Sequence, residues 1–107
     1  MLATPEYFHN AVFYSPAFRF LSPLEQGRFE ALRRDLAGLS VAQASAAVAE
    51  GRVRDQSEAQ PLVWHPGLMV AAVSAQLARI LDGEDYRRAA RYVFRTARYA
   101  LRKTELP

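Results

Sequence analysis

A chain of 107 residues, half of them hydrophobic and 23% charged, is long enough for one domain with a modest core and too apolar to stay disordered. It contains no cysteine, which excludes disulfides, thiolate zinc sites and thiol nucleophiles. Its net charge of +3 is unevenly placed: residues 87–103 carry seven positive charges and no negative one, against seven positive and ten negative over residues 1–86, so a strongly basic end follows a mildly acidic body.

The first residues predict a short helix, with Thr4 as N-cap, Pro5 at the first helical position and Phe8, Ala11 and Val12 on one face. Pro16 disfavours helical geometry at Ser15 and ends it. Half of the twelve aromatic residues fall within the first twenty positions. In this aromatic segment, residues 1–21, Phe8, Phe13, Phe18 and Phe20 are the candidates for a protein interface, because aromatic anchors dominate interface energetics. They also serve to cover one end of a core. The start lacks the basic residues and apolar run of a secretory signal, and the longest apolar stretch, residues 68–81, is broken by Ser74, Gln76 and Arg79 and is too short for a bilayer. A cytoplasmic protein with no membrane contact is expected.

The second helix is marked by Ser22-Pro23-Leu24-Glu25, a capping-box arrangement. Leu24, Phe29, Leu32 and Leu36 share its face, and Gly38 is expected as a left-handed stop. Ser40-Val41-Ala42-Gln43 repeats the capping pattern for an alanine-rich third helix that Gly51 ends. Residues 52–64 show little periodicity and read as a loop. Pro66 opens a fourth helix with Leu68, Met69, Ala72, Val73, Leu77, Ile80 and Leu81 on a wide apolar face, and Asp82-Gly83 breaks it. A fifth helix is expected over residues 84–104, with Glu84 and Asp85 at the positive end of its dipole. No segment alternates with period two and no internal repeat occurs, so the expectation is an all-α fold: one domain over residues 1–107, a small bundle of about five helices, two of them short.

On that last helix Arg87, Arg88, Arg91, Arg95, Arg98 and Arg102 recur at steps of three and four and fall within an arc of roughly 100°. Tyr92 and Tyr99 flank the arc, and the opposite face carries Tyr86, Ala89, Ala90, Val93, Phe94, Ala97, Ala100 and Leu101. Guanidinium groups beside aromatic rings suit nucleic acid, the arginines neutralising phosphates and the tyrosines stacking on unpaired bases. These eight residues are therefore the candidate nucleic-acid site. Thirteen of the fourteen basic residues are arginine and alanine is abundant, a pairing that GC-rich coding also produces, so arginine alone does not establish phosphate recognition.

Other chemistry finds little footing. His9 and His65 have no partner at metal-motif spacing. There is no glycine-rich phosphate loop, nucleophile elbow or carboxylate pair, Glu25 being assigned to its cap. No catalytic residue, metal or cofactor is expected. The second and third helices resemble a helix-turn-helix opening in Leu39-Ser40-Val41-Ala42-Gln43-Ala44, but the segment after them contains Gly51 and Pro61 and makes a poor recognition helix. The reading is a non-enzymatic accessory or assembly subunit that presents an arginine stripe to DNA or RNA, as a homo-oligomer or within a larger complex. Its competitor is an adaptor or inhibitor whose basic helix meets an acidic protein surface.

Overall fold

The computed structural model describes residues 2–56, 60–71 and 74–101. Among them the chain forms, in order, β1 (Leu2–Ala3), α1 (Phe8–Tyr14), β2 (Arg19–Phe20), α2 (Pro23–Asp35), α3 (Val41–Ala49), β3 (Val53–Asp55), β4 (Gln60–Pro61), β5 (Met69–Val70), α4 (Ala75–Leu81), α5 (Glu84–Thr96) and β6 (Tyr99–Leu101). The expected all-α bundle is therefore wrong. The fold is mixed, with helices joined to two three-stranded antiparallel sheets of order β1-β5-β2 and β4-β3-β6.

The strands form where the sequence predicts helix or loop. Leu2 pairs with Val70 and Ala3 with Met69, so the chain start is extended, Thr4 caps nothing, and α1 begins only at Phe8. There Asn10 Oδ1 accepts from the Tyr7 N–H at 3.0 Å. Met69 and Val70 are both buried as the middle strand of the first sheet. A run of apolar residues suits a buried strand as well as a helix face, and here pairing on both edges decides. The predicted fourth helix shrinks to α4, capped by Ser74 Oγ, which accepts from the Leu77 N–H. The expected loop over residues 52–64 holds β3 and β4, paired Arg54 to Pro61 and Asp55 to Gln60.

The capped helices form as their sequences indicate. Ser40 and Gln43 exchange both bonds of a capping box, at 3.1 and 3.0 Å. Ser22 Oγ accepts from the Glu25 N–H at 3.4 Å, but the Glu25 side chain does not return the bond. α2 stops at Asp35, before Gly38, which is not left-handed; among the described glycines only Gly51 has a positive φ, 72°.

α5 ends eight residues earlier than expected, and the reason lies sixty residues away in sequence. Arg34 of α2 donates to the carbonyls of Phe94 and Ala97, satisfying acceptors at the helix end. Asp35 Oδ2 then accepts from the Tyr99 N–H at 2.8 Å. Held this way, the chain turns out of the helix and Tyr99 to Leu101 pair with β3.

The larger core gathers Phe8, Ala11, Phe20, Phe29, Leu32, Val48, Val53, Met69 and Tyr99 from helices and both sheets. α2 and α5 run side by side in the same direction, since contacts advance together along both: Gly27 meets Ala90 and Val93, and Arg34 meets Phe94. Gly27 allows the close approach, because a Cβ there would lie 2.7 Å from Val93 Cβ and closer still to the Ala90 carbonyl oxygen. Among the described residues no helix is long and apolar enough to cross a membrane.

Candidate nucleic-acid interface

The basic face is built by α5 alone. Tyr86 is buried against Val70 and Leu81, Ala90 is buried where it meets Gly27 of α2, and Ala89, Val93 and Phe94 are half-buried, which turns Arg87, Arg88, Arg91 and Arg95 to the outside. The 3.6-residue period thus splits the helix into a core side and an arginine side about 12 Å long. Tyr92 is 67% exposed beside that face.

The electrostatics within the stripe are uneven. Arg88 Nη2 reaches Glu84 Oε1 at 3.1 Å, an exposed pair four residues apart, and is partly neutralised. Arg87, Arg91 and Arg95 have no carboxylate within ion-pair distance among the described residues; the other pairs, Arg19–Asp82, Arg34–Asp35 and Arg52–Glu50, lie elsewhere. Such charges remain available to an anion from outside.

The other candidates are dispersed. Arg98 is exposed past the helix end and donates to the Ala97 carbonyl. Tyr99 is only 6% exposed and sits in β6 among core residues, so its ring cannot meet a base. Arg102 lies outside the described residues. The expected array of eight residues therefore reduces to Arg87, Arg88, Arg91, Tyr92 and Arg95, with Arg98 beyond them.

Of the aromatic N-terminal candidates, Phe8 and Phe20 are buried, packing in tilted and edge contacts with Phe29 and Trp64. Phe18 is half-buried against the same core. Only Phe13, 69% exposed, is open to a partner. His9 Nδ1 lies 2.8 Å from Ser45 Oγ, tying α1 to α3, and its ring stacks on Tyr7. Among the described residues no group of three or more metal-ligating side chains comes together. The segment after α3, where a helix-turn-helix needs its recognition helix, carries β3 and β4 instead.

One feature escaped the sequence entirely. Between α2, α5 and residues 60–65 lies an open groove of about 640 Å³, floored by Phe20, Phe29 and Trp64 and edged by Glu25, Arg28, His65 and Thr96. The Trp64 ring is fixed, its indole N–H donating to the Pro5 carbonyl at 3.1 Å. Segments far apart in sequence make this groove, so no local motif encodes it. No protein-family model, curated protein or solved structure matches the chain.

Proposed function

We propose that the protein is a non-enzymatic accessory subunit that binds nucleic acid, with the outer face of α5 laid against the sugar–phosphate backbone. What supports this reading is one observation: Arg87, Arg91 and Arg95 project from one side of a helix whose other side is packed, and none has an acidic partner among the described residues. Three uncompensated guanidinium groups along two turns match a phosphate chain, and each contact displaces counterions, which gives affinity and makes it fall with salt. Tyr92 on the edge of the stripe adds a stacking surface for an unpaired base. The backbone contacts are indifferent to sequence.

Fluorescence anisotropy with single-stranded and duplex DNA and RNA across a salt series tests the reading. The expected outcome is binding at low salt that weakens steeply as salt rises. Replacing Arg87, Arg91 and Arg95 together by glutamine preserves helix propensity and should lower the log–log salt slope for single strands by about two, at roughly 0.7 per phosphate. Circular dichroism of the variant should match the wild type. No binding at low salt, or an unchanged slope in the triple variant, defeats the proposal; recovery of one acidic protein from a nuclease-treated host extract, with no nucleic-acid binding, puts the adaptor in its place.

A further inference from the structure

The groove beside the stripe is the wrong shape for a backbone and a good one for a base. Its floor is aromatic and apolar, made by Phe20, Phe29 and Trp64, while the charged residues that line it are Glu25, Arg28 and Asp55, of which Glu25 and Arg28 stand together on α2. These two are three residues apart on one face of α2, yet their side chains do not pair with each other, and neither side chain has a hydrogen-bond or ion-pair partner among the described residues. An acceptor and a donor group thus face the same opening with bonds to give. A flat heterocycle with a polar edge fits this pattern: its ring covers the aromatic floor and its edge meets Glu25 and Arg28.

The groove also lies where a strand on α5 would deliver a base. Thr96 lines it, and Thr96 is one turn beyond Tyr92, whose carbonyl accepts from the Thr96 hydroxyl at 2.9 Å. Tyr92 therefore stands on the ridge between the arginine face and the groove. A single strand whose phosphates follow Arg87, Arg91 and Arg95 can pass a base over Tyr92 and down into the opening.

The charge at the edge narrows which base. A carboxylate only accepts hydrogen bonds, and its two oxygens call for two neighbouring donors. Guanine alone among the four common bases offers adjacent N1–H and N2–H donors, and its O6 beside them accepts from a guanidinium. Adenine and cytosine place an acceptor next to their amino group, against the carboxylate. Resting on the nucleic-acid reading above, we infer that the groove between α2, α5 and residues 60–65 is a subsite for an unpaired guanine, with Glu25 reading N1 and N2 and Arg28 reading O6.

Gly67 supplies a control. It is buried beneath the Glu25 carboxyl group, and a Cβ there would lie 2.6 Å from Glu25 Cδ and closer still to Oε2. Gly67→Ala must displace the flexible end of Glu25 while leaving the arginine face untouched.

The experiment compares twelve-residue single strands of repeated TTG, TTA and TTC, and their RNA counterparts, by anisotropy at fixed salt. The guanine strands should bind the wild type about tenfold tighter than the others, the discrimination a good bidentate contact provides. Glu25→Gln should remove that preference while keeping the common, salt-dependent affinity, and Gly67→Ala should do the same; thermal melts establish that each variant is folded. Equal affinity for all strands in the wild type overturns the guanine subsite and leaves the stripe intact. A guanine preference that survives Glu25→Gln overturns the assignment to this groove. Absence of binding to every strand overturns both.

Discussion

At Tyr86 a single hydroxyl links α5 to β2, donating to the Phe20 carbonyl. Burial pushes its pKa up to about 12; the nearby Arg19 charge opposes the rise and Glu30 adds to it. An unfolded tyrosine ionises near pH 10, so the folded state resists a proton loss that the unfolded chain undergoes. The stability this provides is complete below about pH 10 and is lost as pH climbs through about 12, on the order of 2–3 kcal/mol in all. Tyr86→Phe should cost about 1 kcal/mol at neutral pH through the lost hydrogen bond, and its urea midpoint should then fall less than the wild type's between pH 9 and pH 11. Parallel declines in the two proteins would show that this hydroxyl is not protected. Asp35 works in the opposite direction. Burial raises its pKa, but the hydrogen bonds from Arg34 and the Tyr99 N–H, with the Arg34 and Arg98 charges, outweigh burial and hold it below the usual aspartate range. The Arg34 pKa rises in turn, chiefly through its bond to Asp35. The clasp that ends α5 is thus charged throughout the neutral range, and Arg34 further rests over the Phe94 ring at 4.6 Å.

Among the elements, α2 and α5 carry the most consequential contact, and Gly27 sets its distance. Alanine within a helix ordinarily gains roughly 0.5–1 kcal/mol over glycine, but here the added methyl meets the Ala90 backbone and Val93 Cβ. Gly27→Ala should therefore destabilise, by about 1–3 kcal/mol as overpacking does, measured by chemical unfolding; a gain in stability would show the helices free to separate. The same pair of elements explains what the sequence could and could not convey. Ser22 and Ser40 announce their helices because a cap is a local bond within four residues. The stripe was legible because Arg87, Arg91 and Arg95 share one helix with Tyr86 and Ala90, and one period sorts them. The strands were not: β1, β2 and β5 have two residues each, too few for alternation to register, and Leu2 finds its partner at Val70. Ala97, Tyr99, Ala100 and Leu101 continue the helical pattern of α5, and only the distant Arg34 and Asp35 break it. The groove shares this difficulty, since Glu25, Trp64 and Thr96 meet only after folding.

For the molecule as a whole, both sheets draw distant parts of the chain together: the start pairs with β5, and β6, near the end of the described residues, closes the second sheet against β3. Such long-range pairing makes one cooperative unfolding transition the expectation for the full chain. It also gives residues 99–101 a structural weight that the last turns of a terminal helix would not have. Tyr99 is part of the main core, its N–H occupies Asp35, and Val53 of the neighbouring strand is fully buried. A chain ending at Arg98 should lose the burial of one large side chain, about 2 kcal/mol, together with a charged hydrogen bond of about 1.5–3 kcal/mol. Against a typical domain stability of about 5–15 kcal/mol this is a large fraction, so the urea midpoint should drop sharply or the chain should fail to fold. A chain ending at Leu101 is the reference, isolating β6 from the residues after it. If the two shortened chains unfold at the same midpoint, β6 contributes nothing and the chain after Thr96 is a frayed end, whose loss costs tenths of a kcal/mol. A midpoint well below the reference establishes that the strand, with the Arg34–Asp35 clasp that directs it, holds the two halves of the fold together.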